Sequence, residues 1–525
     1  MALPYDIEIT TAVDDKNFDG IVLVTDKIST LPAALNDLKK PLEDLKENDK
    51  SVEKDVVFTI LQGEPFNNQR LVFSPTGPLD RDYDDVRRYS DAALTGIERA
   101  LKAGCKAPLL VSPPNASFTQ SQVAAALGAL RAVYVPLEVR EATPDKAKKI
   151  DKLGIWNSVK KDRFLKVTKA LESGRSVARD IGGSDPERMA APNVATYVTK
   201  LFEDPKSGVA VKVIKDEKTL EREYPLHAAV NRCAKHVDRH KGCVIELEYV
   251  GDGEPEVTVM LVGKGVTMDT GGVDIKISGG MRSMHRDKCG AAAVAGFFQI
   301  LSALKPPNIK VLGAMTMVRN SVGSDSYVPD EILTARSGVR VRVGNTDAEG
   351  RMAMADPLCK MKELALNEKN PHIYTIATLT GHAVRTVGPG YTIVMDNGPA
   401  REANHAQNLA KDGADLADPL EVSTIRREDY EYNKSLSPYE DMVQTSVNPA
   451  SGPGPRGHQN AAAFLLMISG LDKHGLDSES RLRYSHLDIA ASSGPYPGLP
   501  VAAPIVALGG RYLLPKVIDE EAGDK

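Results

Sequence analysis

The chain has few cysteines, and their arrangement excludes two kinds of structure. Only five of its 525 residues are cysteine, and no two of them have the Cys-x-x-Cys spacing. A disulfide framework needs paired cysteines, and a thiolate zinc site needs closely spaced ones. We therefore expect free thiols in a reducing compartment.

Histidines are also few, and the chain has no excess of positive charge. There are ten histidines and no His-Glu-x-x-His pattern, which disfavours a zinc site built on a helical histidine pair. The net charge is -5 and the pI about 6.1, so the composition gives no basic footprint for nucleic acid. We expect no nucleic-acid partner.

Long apolar runs are missing as well. No stretch is long enough to span a bilayer, and the N-terminus lacks a basic region followed by an apolar one. The sequence therefore predicts no membrane partner and a soluble, cytoplasmic protein.

The chain does show a repeated β-α-β rhythm. Short apolar runs such as 20–24 and 109–111 alternate with helical patterns such as 83–103. A chain of this length exceeds one hydrophobic core. We predict an α/β fold of two domains, each a mostly parallel or mixed sheet flanked by helices, with the catalytic site in the larger C-terminal domain. The predicted bounds are an N-terminal domain over 1–160, a linker helix over 161–182 and a catalytic domain over 183–525.

The heptapeptide Asn-Thr-Asp-Ala-Glu-Gly-Arg, residues 345–351, is the strongest chemical signal. It follows the strand-like run 339–343. In an extended backbone Asp347, Glu349 and Arg351 would share one face, because side chains alternate along a strand. Two carboxylates held so close repel each other, which indicates a cation between them.

A second segment, residues 263–287, supplies more groups of this kind after the apolar run 257–262. Together the two segments offer an oxygen-rich ligand set that suits two divalent ions. The set is Lys264, Asp269, Asp287, Asp347 and Glu349. Two divalent ions would neutralise its four carboxylates if Lys264 is uncharged. The candidate residues follow predicted strands, at the edge where open α/β sheets bind ligands.

With these elements the sequence resembles the leucyl (cytosolic) aminopeptidase family of dinuclear metallopeptidases, and is closest to its aminopeptidase-like branch. The heptapeptide is that family's hallmark. Gly-Lys-Gly, Asp-Thr-Gly-Gly, Ile-Lys and Met-x-x-Asp elements occur within 263–287 in the family's order, and segments 377–381 and 486–490 match as well. The resemblance covers the C-terminal two thirds, and the N-terminal third matches no motif.

The resemblance implies a role for each matched residue. The tight metal site would be formed by Lys264, Asp269, Asp287 and Glu349, and the exchangeable site by Asp269, Asp347 and Glu349. The ions would be Zn²⁺ or Mn²⁺, with Mg²⁺ as a further candidate. Lys276 would polarise the scissile carbonyl, and Arg351 would hold a bicarbonate that shuttles protons. The residues that would contact substrate are Met284, Thr378, Leu379 and Gly381.

The implied function is a metal-dependent aminopeptidase that releases N-terminal amino acids from short peptides with a free N-terminus. A metal-bridging water or hydroxide would attack the peptide, inside a homohexamer. Two alternatives stay open. The chain could be a catalytically weak relative that serves as a structural or binding protein, or a scaffold whose N-terminal domain binds a nucleotide-like or nucleic-acid partner, although no glycine-rich phosphate loop supports the latter.

Three positions depart from the family pattern. Lys288 and Cys289 replace the usual Met-Gly, which predicts an extra positive charge near the metals. Ser493 stands where an apolar residue is common, so a preference for leucine does not follow. We interpret Cys289 as a small buried thiol rather than a nucleophile, and His486 as a hydrogen-bonded core residue.

Overall fold

The computed structural model of the chain describes residues 3–158, 162–445 and 455–517. The predicted boundary between the N-terminal domain and the linker helix, at 160 and 161, lies outside the described residues. A long helix, α5, begins at Asp162 and ends at Gly183.

The chain forms two compact units. The first runs up to Ser173 and also includes Asp412–Asp418, and the second comprises Gly174–Lys411 and Pro419–Lys516. Within the described residues, no helix has the length and apolar character needed to cross a bilayer.

The first unit is built on a six-stranded sheet. Its strand order is β1-β6-β5-β2-β4-β3, and every neighbouring pair is parallel except β3 and β4. The elements are β1 Asp6–Thr10, β2 Gly20–Thr25, α1 Asn36–Asn48, β3 Val57–Leu61, β4 Gln69–Pro75, α2 Arg87–Lys102, β5 Pro108–Val111, α3 Ser121–Val133, α4 Leu137–Ala142 and β6 Lys152–Trp156.

Both faces of this sheet are buried, as its sequence pattern requires. Along β2 the side chains of Val22 and Val24 join one hydrophobic cluster, while Ile21 and Leu23 join another on the opposite face. Continuous apolar strands of this kind are typical of parallel sheets covered by helices on both sides.

The second unit contains an eight-stranded mixed sheet in the order β15-β14-β17-β13-β9-β10-β8-β7. Its elements after α5 are α6 Ala191–Leu201, β7 Val209–Ile214, α7 Glu217–Glu223, α8 Pro225–Asn231, β8 Cys243–Val250, β9 Val257–Asp269, α9 Cys289–Leu304, β10 Ile309–Asn320, β11 Ile332–Thr334, β12 Arg340–Arg342, α10 Glu349–Ala365, β13 Pro371–Ala377, α11 Gly381–Val387, β14 Thr392–Asp396, α12 Gly398–Glu402, α13 His405–Asp415, β15 Leu420–Thr424, α14 Arg427–Tyr432, β16 Met442–Val443, α15 Gly457–Ser469, β17 Arg483–Asp488 and α16 Ile505–Tyr512. The predicted α/β class with parallel and mixed sheets is confirmed.

The central strand β9 is longer than the apolar run 257–262 predicted. It continues to Asp269 and pairs with β10 almost throughout, so Lys264 lies inside the strand and the prediction that it follows the strand is wrong. Gly263, within this strand, allows close packing against α9. A Cβ on Gly263 would lie 2.6 Å from the Cα of Ala291 in α9.

The heptapeptide follows a strand, as predicted from the run 339–343. The small strand β12 precedes it, and β12 belongs to the three-stranded sheet β11-β12-β16 rather than to the eight-stranded one. Asp347 and Glu349 therefore follow a strand of a different sheet from the one that carries Asp269.

Candidate metal centre

The heptapeptide turns where an extended backbone was predicted. Residues Thr346–Ala348 form a 3₁₀ turn, and α10 begins at Glu349. The side chain of Asn345 accepts a hydrogen bond from the Asp347 N–H at 2.7 Å, which caps the turn. The strand-like alternation predicted for 347, 349 and 351 is wrong, because this cap starts a helix.

The turn nevertheless brings carboxylates together. Asp269 at the end of β9, Asp347 in the turn and Glu349 at the start of α10 each offer an oxygen, and these atoms lie within 4.8 Å of one another. The side chains of Asp269 and Glu349 are almost fully buried. Three of the five predicted ligands thus form one acidic cluster.

Lys264 connects the other predicted ligand, Asp287, to this cluster. Its Nζ lies 2.8 Å from Oδ1 of Asp287 and 3.0 Å from Oε1 of Glu349. The same Nζ donates to the Thr378 carbonyl at 3.0 Å, and the Thr378 hydroxyl donates to Asp287 at 2.8 Å. All five predicted ligands are therefore joined directly or through one ammonium group.

Lys276, the predicted catalytic lysine, lies on the other side of the cluster. Its Nζ is 2.8 Å from Oδ2 of Asp269 and 2.5 Å from Oδ1 of Asp347. The loop that carries it turns at Gly271, where φ is +92° and a Cβ would meet the Asp274 carbonyl at 2.4 Å. A residue with a side chain is strained there.

The electrostatics of the cluster follow from burial and crowding. Burial is the largest effect on Asp287, Asp347 and Glu349, and it raises their pKa values. Nearby carboxylates raise these pKa values further and the lysines lower them, and the net result lies above the ordinary range. Burial also acts to lower the pKa of Lys264 and Lys276, but the adjacent carboxylates outweigh it and raise both pKa values. A neutral Lys264 is therefore consistent with this site only when divalent ions take over the neutralisation of the carboxylates.

The donor set fits divalent cations. Three carboxylate oxygens converge on one point, and the buried Oδ2 of Asp287 has no hydrogen-bond partner among the described residues. Hard oxygen donors of this kind suit Zn²⁺, Mn²⁺ or Mg²⁺.

Arg351 lies outside the cluster, contrary to the prediction that it shares a face with Asp347 and Glu349. It lies in the first turn of α10, where its Nη1 donates to the Gln444 carbonyl at 3.0 Å and its guanidinium lies 5.7 Å from the ring centre of Phe464. Its buried Nε has no partner within the described part of the chain. Burial acts to lower the Arg351 pKa, so an anion such as bicarbonate would offset the cost of the buried charge.

Two polar residues that no sequence pattern had singled out hold the site together. The Asn320 amide donates to Oδ1 of Asp269 at 2.8 Å, to the Thr346 carbonyl at 3.1 Å and to Oε2 of Glu349 at 3.4 Å. Gln444 accepts from the N–H groups of residues 344 and 345, both at 3.0 Å, and donates to the carbonyl of residue 348 at 3.1 Å. Both are remote in sequence from the groups that they orient.

We expect Asn320→Ala to weaken metal retention about 10- to 100-fold, because it removes hydrogen bonds that orient two proposed ligands. Metal content after dialysis against a graded chelator series measures this. Asn48→Ala, which changes an exposed amide in the first unit, is the control. Equal retention in the two variants would show that Asn320 does not support the ligands.

Of the predicted substrate residues, Thr378 contacts the ligand set, through Lys264 and Asp287. Thr378, Leu379 and Gly381 follow β13, and the Leu379 N–H donates to Oδ1 of Asp488 at 3.3 Å. A Cβ on Gly381 would meet nothing within 4 Å, so this position faces open space. Met284 lies in a 3₁₀ turn that ends just before Asp287.

The unusual residues after Asp287 are both buried. Lys288 has no exposed surface, and its Nζ donates to the carbonyls of Ser184, at 2.9 Å, and His285. Cys289 begins α9 with its pKa raised to about 11 by burial, so it is not a thiolate nucleophile at neutral pH.

The interpretations of the cysteines as free thiols and of His486 as a core residue agree with the structure. All five cysteines are free thiols. His486 is fully buried in β17, and its Nδ1 is 2.7 Å from the Thr375 hydroxyl. It is a hydrogen-bonded core residue.

Comparison with known proteins identifies relatives of the chain. The profile of the cytosol aminopeptidase family, catalytic domain, matches residues 176–500. A Caenorhabditis elegans protein named "Putative aminopeptidase W07G4.4" is 43% identical over 519 residues, 97% of each chain. The cytosol aminopeptidase of Vibrio cholerae is 31% identical over 326 residues, which cover 62% of this chain and 58% of the Vibrio protein.

Solved structures share the fold. A mutant of tomato leucine aminopeptidase superposes with a TM-score of 0.78 at 19% identity, covering 97% of this chain and 96% of the tomato chain. The bottromycin maturation enzyme BotP, in complex with Mn, gives a TM-score of 0.74 at 20% identity, covering 94% of this chain and 98% of the BotP chain.

An α/β architecture with this acidic cluster and these relatives defines a peptidase of the aminopeptidase class. The chain belongs to the cytosol aminopeptidase family. Membership of this family supports an aminopeptidase activity.

Proposed function

We propose that this protein is a dinuclear metal-dependent aminopeptidase that releases N-terminal residues from short peptides. The observation that carries the proposal is the convergence of Asp269, Asp347 and Glu349 within 4.8 Å, with Asp287 joined through Lys264. The ions that these five side chains would hold supply an activated water and polarisation of the first peptide carbonyl.

Side chains of the protein would stabilise the developing charge, transfer protons and bind the substrate. Lys276 extends into the cluster from a loop and is protonated there, so it can donate to the oxygen that gains negative charge as the peptide bond is attacked. Arg351 would hold bicarbonate through its free edge and pass protons near the site. The segment Thr378–Gly381, with Met284, would line the pocket for the first side chain.

We further propose that the protein acts as a homohexamer in the cytoplasm. The loop that carries Lys276 exposes three apolar side chains, Val273, Ile275 and Ile277, whose exposed fractions are 37%, 51% and 76%. Apolar side chains exposed next to one another are typical of contact surfaces. Assembly around the sites would restrict access to short peptides.

The test of the proposed function is hydrolysis of aminoacyl amides and dipeptides by purified full-length protein, with and without Mn²⁺ or Zn²⁺. Metal-dependent release of the N-terminal residue supports an active enzyme. Folded, metal-loaded protein without turnover would favour the catalytically weak relative that serves as a binding or structural protein.

Lys276→Ala separates transition-state stabilisation from metal binding. We expect kcat to fall about 10²- to 10³-fold, the usual cost of losing one oxyanion donor, with metal content unchanged. Lys212→Ala, whose side chain is 70% exposed, is the matched control. Loss of metal from Lys276→Ala would contradict the separate role given to this lysine.

A further inference from the structure

Three buried polar atoms behind the metal centre have no hydrogen-bond partner among the described residues. They are Nε of Arg351, Nε2 of His486 and Nδ1 of His458, and the three residues are 8%, 0% and 2% exposed. A buried polar atom without a partner is costly, so such atoms are usually bonded to an ordered water. They indicate a shared water site where they lie near one another.

Helix α15 brings two of these groups to the third. His458 is its second residue, and Phe464, farther along the same helix, packs against the Arg351 guanidinium at 5.7 Å from the ring centre. Burial first, and then the charges of His458 and Arg351, lower the pKa of His486 to about 3. Both groups are therefore close enough to His486 to act on it electrostatically.

The strand register shows where His458 lies on the sheet. His486 in β17 and Ser423 in β15 pair with the same residue of the strand between them, Met395 in β14. Their side chains therefore lie on one face of the sheet, about 10 Å apart, which is two strand spacings. Nε2 of His458 is 3.0 Å from the hydroxyl of Ser423, which lies in the edge strand and is partly exposed. His458 thus connects the edge of the sheet with the interior near His486.

One water satisfies all three atoms. Burial lowers the pKa values of His486 and His458 to about 3 and about 4, so near pH 7 each ring is neutral, with one N–H and one lone pair. The Thr375 hydroxyl is 2.7 Å from Nδ1 of His486. When each ring donates to its hydroxyl partner, Thr375 or Ser423, both lone pairs remain for a water. That water accepts from Nε of Arg351 and donates to both rings, and three bonds are usual for buried water.

We propose that His458 transfers protons between this water and the Ser423 hydroxyl, and so connects the Arg351 side of the metal centre with solvent. The transfer rests on the proposed function, in which Arg351 holds an anion that passes protons. The Nδ1–H bond of His458 forms as an O–H bond of the water breaks. Its Nε2–H bond breaks as Ser423 takes that proton and releases its own to solvent, and the proton-carrying anion reprotonates the water. A proton that returns for the leaving amine reverses the exchange and restores the first tautomer of His458.

A crystal structure of the full-length protein, at a resolution that shows ordered water, tests the water site independently of activity. We expect one water within hydrogen-bond distance of Nε of Arg351, Nε2 of His486 and Nδ1 of His458. No ordered water between these atoms would overturn the proposal, because the imidazole would then have no inner proton partner.

His458→Phe tests the transfer itself. We expect kcat on a dipeptide to fall at least about tenfold, with unchanged metal content and a larger solvent deuterium isotope effect, because proton exchange then limits turnover. The matched control is His236→Phe, a histidine whose side chain is 77% exposed. A kcat and an isotope effect equal to those of the native protein would overturn the proposal. If His458→Phe does not fold, Ser423→Ala serves with the same criteria.

Rescue by small molecules distinguishes proton transfer from packing. Imidazole should restore much of the kcat lost in His458→Ala, whereas pyrrole, a ring of the same size without an acceptor nitrogen, should not. Equal restoration by both would mean that the ring only fills space, and would overturn the proposal. A native protein without turnover would remove the proposed function and the transfer with it, whereas native turnover that survives in the variants would remove the transfer alone.

Discussion

Glu349→Gln is expected to reduce kcat/KM by about 10³-fold or more, about 4 kcal/mol of transition-state stabilisation, with loss of bound metal. Glu349 is 1% exposed, and its carboxylate is shared between the acidic cluster and Lys264. The amide that replaces it is neutral and a weaker ligand. Initial rates on a dipeptide, together with metal content per chain, measure the effect.

A matched substitution on the same helix makes that result specific. Glu363→Gln changes a carboxylate that is 42% exposed and pairs with Arg336, away from the cluster. It should keep full activity and full metal content. Near-normal turnover by metal-loaded Glu349→Gln would show that Glu349 is not a ligand.

Gly350→Ala is expected to lower activity about 100-fold or more while leaving the protein folded. A Cβ at this position would lie 2.3 Å from Cε and 2.6 Å from Nζ of Lys264, which has to move away from Asp287 and Glu349. Misplacement of reacting groups by about 1 Å lowers the rate about 100-fold. Initial rates and a thermal melt of the same sample measure the two effects.

Helix propensity provides the internal control for this variant. Gly350 lies in the first turn of α10, where alanine is favoured over glycine by up to about 1 kcal/mol when nothing obstructs it. A higher melting temperature with full activity would therefore mean that Lys264 does not rest against Gly350.

Much of the fold could be predicted from local sequence pattern. Apolar runs such as 20–24 and 257–262 are buried strands, because a strand covered on both faces needs apolar residues at every position. The extent of β9 could not be predicted in this way. Gly263 is needed for the close approach of α9 and does not form a turn. A glycine in the sequence is compatible with either role, and only the position of α9 in the folded structure shows which one applies.

The proximity of the carboxylates was predictable, but the conformation of the heptapeptide was not. The heptapeptide identified its carboxylates, yet the alternation argument failed because it ignored Asn345, a residue that favours helix N-termini. Asn320 and Gln444 could not be found from local pattern, since tertiary structure brings them from 29 and 96 residues away to Glu349 and Ala348.

The two lysines among the carboxylates have a consequence for how the protein matures. Lys264 and Lys276 offset two of the four negative charges of the acidic cluster and Asp287, so these carboxylates can be brought together before any ion arrives. Small zinc domains behave differently, since they unfold without their metal. A cell short of metal would therefore accumulate this chain as a folded, inactive precursor that is switched on by metal supply and needs no new synthesis.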